Sequence, residues 1–288
     1  MMRICPVCSS DKSTLIFHDV NRREWYTELE WDFVSCNDCG MKYLTHILSF
    51  SEMWEKYEDI YVHPDILNIS EKIHKNVPQI SKKILDIGCN HGVQLIPYVN
   101  LGWNVYGIDL NKHAIEDCKK YLPEANFLVS TIEDVWFPDN MFDKIQTFHV
   151  LEHVYDPKSF LEKCYKILNE NWEIEIRIPH GDSLEMKVWG KYSSQSWVPF
   201  HINMFDKKTI VEVLTQAWFH EIMVHTNPIP WWWILSFRQW KNTINISRWV
   251  TNFKQGYFHI LIQVMLYPFL WILSKVWYGE ELHVIAKK

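Results

Sequence analysis

Nine residues constrain this chain of 288 more than any others: ILDIGCNHG, from Ile84 to Gly92. A short apolar run reaches Asp86 and passes at once into a turn built on Gly88 and Gly92. Glycine takes backbone dihedrals closed to other residues and lets a ligand approach the main chain. A strand ending in such a turn delivers an acid to the carboxyl edge of a sheet, where ligands bind in open α/β folds. The pattern downstream agrees. VQLIPYV reads as a helix, NVYGID as a strand, and NKHAIEDCKKYL as an amphipathic helix capped by Asn111. ANFLV and FDKIQTF read as strands, KSFLEKCYKIL as a helix and EIEIRI as a strand. DKKTIVEVLTQA, a helix capped by Asp206, then EIMVHT and ELHVIA complete the series. Strands alternating with helices predict an α/β fold with a Rossmann-like, mostly parallel sheet covered on both faces.

Two further segments carry chemistry. Asp109 closes the strand in GIDLN about twenty residues after the glycine turn, where a carboxylate can accept both hydroxyls of a ribose. FHVLEHVYDP follows the fourth strand. With these motifs, residues 83–180 resemble the class I S-adenosylmethionine-dependent methyltransferases, in particular the group with an LDIGCGxG loop, an acidic ribose binder and a VLEHVxDP segment. The glycine spacing is not GxGxxG, which separates it from a dinucleotide-binding domain. The resemblance implies a seven-stranded sheet with one antiparallel strand, Glu281–Ala286. It implies S-adenosylmethionine as cofactor, with Gly88, Cys89 and Gly92 around its amino-acid end and Asp109 on the ribose. His149 would lie near the methyl group, and Asp86, Asn90 and Leu110 complete the binding set. The chain departs from the family twice. Asn90 stands where Gly is usual, and Asn is the residue after Gly that best tolerates a left-handed backbone. Thr131, followed by Ile132, stands where an Asp usually reads the adenine, and a hydroxyl makes a weaker contact than a carboxylate.

The implied chemistry is modest. A methyl group on a sulfonium is intrinsically electrophilic, so the protein must align it for in-line displacement and exclude water. A base is needed only if the nucleophile must lose a proton. Candidates are Glu152 and His153 in the VLEHV turn, His180 after EIEIRIP and His201 in WVPFHINMF. A structural role stays open for each: the first two begin the turn into the next helix, and the histidines read equally as satisfied surface residues.

Upstream, Cys5 and Cys8 in CPVC and Cys36 and Cys39 in CNDCG form two CxxC knuckles. Four thiolates in tetrahedral array suit a closed structural zinc site, and the 27 residues between the knuckles can fold as a hairpin. A zinc-ribbon-like module over residues 1–45 is too small to build a core alone, so the metal would supply much of its folding energy. Cys118 and Cys164 read as packing residues. A helical connector follows over 46–80, and the methyltransferase domain spans 81–288. Many methyltransferases with such a module resemble enzymes of sugar or glycan modification. That resemblance implies a saccharide acceptor, small or lipid-linked, with O-methylation favoured over C-methylation. RNA methylation is the second enzymatic reading, since zinc modules also occur there. A net charge of −6 speaks against it. A degenerate fold acting as a binding scaffold is the third. The start MMRICPVC has no apolar leader, and seven cysteines fit metal or free thiols better than disulfides, so the expectation is a cytoplasmic protein.

Two features stand outside this scheme. No acidic residue occurs between Glu221 and Glu280, whereas Arg238, Lys241, Arg248, Lys254 and Lys275 do, among many aromatic and aliphatic residues. An insertion over 228–278 is expected, either an interfacial membrane element, a buried cap or a dimer face. The composition is also skewed, with 16 Trp against 9 Gly where an average chain would hold roughly 20. Trp172 and Trp218 fall in turns where the resemblance expects glycine at positive φ. A source that reads UGA as glycine, translated here as tryptophan, would explain both totals, and Trp231, Trp232 and Trp233 would then be further candidates for glycine.

Overall fold

The glycine turn lies at the centre of a seven-stranded sheet. The computed structural model describes residues 3–20, 30–53, 74, 77–243, 265, 267–269, 271–272 and 278–288. In it β4 (Lys83–Ile87) is flanked by β5 (Asn104–Asp109) and β7 (Phe142–Phe148), both parallel to it. β6 (Asn126–Val129) continues the sheet beside β5, and β8 (Leu168–Pro179) beside β7, again in parallel. β11 (Glu281–Lys287) lies between β8 and β10 (His220–Asn227), so the order is β10-β11-β8-β7-β4-β5-β6. Ile84, Leu85 and Ile87 are all buried, because a parallel strand is covered on both faces and reads as a continuous apolar run.

The helices start where their caps dictate. In α2 (Lys112–Tyr121) the Asn111 side chain accepts from the Ala114 amide at 2.9 Å. Asp156 caps α3 (Pro157–Ile167) by accepting from the Ser159 amide at 3.0 Å, with a proline in the first turn. Asp206 caps α5 (Lys207–Gln216) through the Thr209 amide at 2.8 Å. The shorter α1 (Ile96–Asn100) and α4 (Leu184–Trp189) and the longer α6 (Pro230–Thr243) are also helical. Helix α2 buries Ile115 and Cys118 in one cluster with Ile84, Val105 and Phe127. Each fully buried Ile or Phe contributes on the order of 2 kcal/mol.

A second sheet has the order β1-β2-β3-β9. β1 (Ser13–Val20) and β2 (Glu30–Cys36) form the hairpin expected between the cysteine knuckles, and β3 (Lys42–Leu44) adds to it antiparallel. Its last member, β9 (Asn203–Met204), comes from far along the chain and pairs antiparallel with β3. The described chain divides into two compact units. One comprises Met1–Ile47, Ile178–Ile210 and Val224–His283, the other Leu48–Arg177, Val211–Met223 and Val284–Lys288. Of the expected connector over 46–80, residues 50–53 are helical, while 54–73 and 75–76 lie outside the described residues. Within 228–278, α6 opens the insertion, and 244–264, 266, 270 and 273–277 lie outside them.

Trp218 has the left-handed backbone expected of it, with φ 68 and an indole 60% exposed. The corresponding expectation for Trp172 fails: its neighbour Asn171 takes the positive φ, at 64. Asparagine tolerates that region, so the turn is made one residue earlier. The Trp172 ring is left to pack under the Lys82 ammonium, 4.8 Å away.

Candidate cofactor site and cysteine centre

The carboxyl ends of β4 and β5 bring two acids to one turn. Asp109 accepts the Asn90 amide on Oδ2 and the Asn111 amide on Oδ1, each at 2.8 Å. Its carboxylate is therefore tied to the glycine turn on one side and to the start of α2 on the other. Burial pushes its carboxyl above the usual range, against the Asn111 and Asn90 amides, which pull it down. Asp86 is buried beside Gln146, its register partner on β7. Burial raises its carboxyl to about 7, although the Gln146 side chain works the other way. Two carboxyls held out of water at one rim suit a ligand bearing a positive charge and a vicinal diol.

The loop between them is built by sterics. Gly88 has φ +76, and a Cβ there would collide with Val150 Cγ2, so the turn favours glycine. Asn90 takes φ 48, the left-handed conformation its residue type predicts. Cys89 is buried, and Cys118 approaches the Asn90 carbonyl at 3.3 Å. Gly92 also has positive φ, at 67, and starts the 3-10 turn Val93–Leu95. Leu110 is half-buried between Asp109 and Asn111. His91, which sequence reasoning passed over, is buried with its Nδ1 3.6 Å from Asp117 Oδ2 and helps hold Asp109 ionised. No spacing marks His91 or Gln146 as part of a site; the neighbouring strand and helix do.

At the end of β7, His149 has φ 58 and donates its amide to the Arg177 carbonyl at 2.8 Å. Its Nδ1 lies 3.5 Å from the buried Glu152 carboxyl in the turn Leu151–His153. Strained backbone of this kind costs of order 1–3 kcal/mol and clusters at functional sites. Thr131 behaves otherwise. Its hydroxyl donates to Asp134 Oδ2 at 2.8 Å and accepts the Asp134 amide at 3.2 Å, so it closes a local turn, and Ile132 is buried beside it. His180 and His201 belong to the other unit. His180 is buried with Nδ1 2.8 Å from the Gly279 carbonyl, and burial holds its pKa below the usual value. His201 places Nδ1 2.6 Å from the Gln195 carbonyl. A carbonyl partner puts the proton on Nδ1 in both rings and makes Nε2 the basic nitrogen.

The four cysteines of the knuckles converge. Their sulfurs lie within 4.8 Å of one another, with Cys5–Cys39 and Cys8–Cys36 at 3.5 Å, and all are free thiols. A zinc ion at about 2.3 Å from each sulfur requires S···S edges of about 3.8 Å, so the set fits a tetrahedral site. Both knuckles close on a residue at positive φ, Ser9 at 59 and Gly40 at 90. Burial raises the Cys5 thiol to about 11. Burial also acts on Cys36, but the Cys39 and Asp38 amides bring it down to about 7. Lys208 donates to the Cys39 carbonyl at 2.9 Å, and Arg3 to the Ile202 carbonyl at 3.0 Å, so the module is bonded into its unit.

A carboxylate on the second of two parallel strands is thus tied to a glycine turn after the first, at the carboxyl rim of a seven-stranded sheet. Residues 85–171 match the family described as Methyltransferase domain. The ubiquinone biosynthesis O-methyltransferase of Rickettsia prowazekii (strain Madrid E) is 36% identical over 167 residues, covering 54% of this chain and 66% of that protein. The protein of the same name from Rhodopseudomonas palustris (strain BisA53) is 27% identical over 148 residues, covering 46% and 55%. The chain thus spans little more than half the length of some of the curated relatives it matches. Phosphoethanolamine N-methyltransferase 2 of Haemonchus contortus, solved with S-adenosyl-L-methionine, shares the fold at a TM-score of 0.51 and 16% identity, over 86% of this chain and 61% of that one.

Proposed function

We propose that the chain is an S-adenosylmethionine-dependent O-methyltransferase. The observation that carries this reading is the Asp109 carboxylate, tied by the Asn90 amide to the glycine turn and fit to accept the ribose hydroxyls. Gly88, Cys89, Asn90 and Gly92 would hold the amino-acid end, and Asp86 would face the cofactor's positive charge. When bound, S-adenosylmethionine supplies a methyl group activated by its sulfonium. The protein's own part is to orient that group, exclude water and, where the acceptor is a hydroxyl, take its proton. Glu152, His153, His180 and His201 are the candidates for that last role. His149 would border the methyl-bearing end.

The acceptor we take to be a hydroxyl of a small-molecule or lipid-linked saccharide, on the resemblance of the cysteine module to glycan-modifying enzymes. The relatives' names speak of ubiquinone biosynthesis, so a test must span both chemistries. We assign structural zinc to Cys5, Cys8, Cys36 and Cys39, and the domain limits 1–45, 46–80 and 81–288 as read from the sequence. Thr131, engaged with Asp134, favours a second reading: a scaffold that binds no cofactor.

Calorimetry of the full chain with S-adenosylmethionine separates the two. Micromolar binding, weakened at least about 100-fold by Asp109→Ala, supports the enzyme. No binding leaves the scaffold. Transfer of labelled methyl to a panel of phenols and saccharides then reads the acceptor.

A further inference from the structure

The residues of the candidate cofactor site all lie outside 228–278 in the sequence, and the composition of that stretch is unlike the rest of the chain. Helix α6 is held by polar bonds to buried acids and by ring contacts of Phe237 and Trp240 with Trp189, at 6.2 and 6.1 Å. Trp233 Nε1 donates to Glu280 Oε1 at 2.6 Å, the Ile229 amide donates to Glu280 Oε2 at 2.7 Å, and the Ser236 hydroxyl donates to buried Glu185. Glu185 also accepts Ser193 at 2.6 Å and Gln195 at 2.7 Å. The two acids that hold α6, Glu185 and Glu280, are thus buried and engaged with donors. Farther along, Met265, Phe269 and Ile272 are 71%, 58% and 58% exposed, and Tyr267 and Trp271 are also exposed. Phe237 on α6 and Val188 are exposed as well. Soluble surfaces rarely carry so many large apolar residues close in sequence without a partner.

Charge selects the partner. From 222 to 279 the chain holds five cations (Arg238, Lys241, Arg248, Lys254 and Lys275) and no acid, within a molecule of net charge −6. Exposed apolar side chains interleaved with cations are the composition of an interfacial element on an anionic bilayer. A protein partner would not require every acid to be missing. No helix among the described residues is long and apolar enough to cross a membrane.

We propose that segment 228–278 docks the chain on an anionic lipid surface. Met265, Phe269 and Ile272 enter the headgroup region, and the cations meet the lipid phosphates. The proposal does not depend on methyl transfer and is read without it. The full chain is sedimented with vesicles of phosphatidylcholine containing 30% phosphatidylglycerol and with pure phosphatidylcholine, at about 0.1 M salt. Partitioning should be more than about tenfold stronger on the anionic vesicles. The triple variant Met265→Ser, Phe269→Ser, Ile272→Ser should weaken it by about tenfold or more, and Lys254→Glu with Lys275→Glu should remove the preference for anionic lipid. Circular dichroism and melting unchanged from wild type establish that the variants fold. Wild-type partitioning by the triple variant overturns the proposal. So does a chain that ignores vesicles but is dimeric by light scattering and becomes monomeric in that variant; the face is then a self-association surface.

Discussion

Asp86 is the residue whose environment has most to say about pH. Its folded carboxyl titrates near 7, raised by burial from the ordinary value of 3.8. Between about pH 4 and 7 the folded state therefore holds a proton that the unfolded state has released. Stability from this group is full below about pH 4 and is lost as pH rises through 7. Asp86→Asn removes that loss. Urea melts should show the variant more stable than wild type by about 2–4 kcal/mol at pH 8 and closely similar at pH 4. A cationic cofactor favours the ionised form, so the affinity of wild type for S-adenosylmethionine should rise from pH 6 to 8 while that of the variant stays flat. Parallel pH profiles would remove Asp86 from the site. Trp218 makes a different point. A non-glycine residue in the left-handed region costs about 1–2 kcal/mol, and this indole is mostly exposed, with an edge contact to Tyr165 at 5.8 Å. Trp218→Gly should raise stability by about 1 kcal/mol, or about 2–4 °C in Tm. A fall of similar size would show that the ring contact outweighs the strain. At the nucleotide level, ordinary UGG codons at both 172 and 218 would end the reassignment reading, and with it the suggestion that Trp231–Trp233 are glycines.

Among the elements, the cysteine module is the one whose role changes on folding. Read along the chain, it is an appendage of 45 residues. In the fold, its β3 hydrogen-bonds to β9 through the pairs Lys42–Met204 and Tyr43–Asn203. Lys42 also reaches the Gly181 carbonyl at 2.8 Å and the Asp182 carboxylate at 2.5 Å. Four sulfurs around one ion would therefore support a sheet that includes chain from beyond β8. Chelation of zinc from the purified protein should abolish hydrogen-exchange protection at Asn203–Met204 together with that at Lys42–Leu44, and Tm should fall by more than about 10 °C, given the folding energy a structural zinc carries. Native mass spectrometry should find one zinc per chain before treatment. Unchanged protection, or no metal in the native mass, would leave four thiols and a hairpin.

At the scale of the whole molecule, the methyltransferase match covers 85–171, and the remainder of the chain is where the particular function must reside. That remainder holds a cysteine centre, two buried histidines with carbonyl-fixed tautomers and a cationic apolar insertion. None of these is set by the strand order. The order positions Asp86 and Asp109; the groups on which the proposed acceptor and the proposed lipid surface rest lie outside it.

What the sequence determined by itself is everything decided by near neighbours. The Asn111 and Asp206 caps, the alternation of strands and helices, the left-handed Asn90 and the turn within each CxxC knuckle all follow from the sterics and hydrogen bonds of residues a few positions apart. Tertiary structure alone decided what depends on distant chain: β9 beside β3, Gln146 beside Asp86 and His91 beside Asp117. Burial and pairing between remote segments are collective quantities, and a carboxyl's affinity for its proton, like a two-residue strand's existence, is set by what the rest of the fold packs around it.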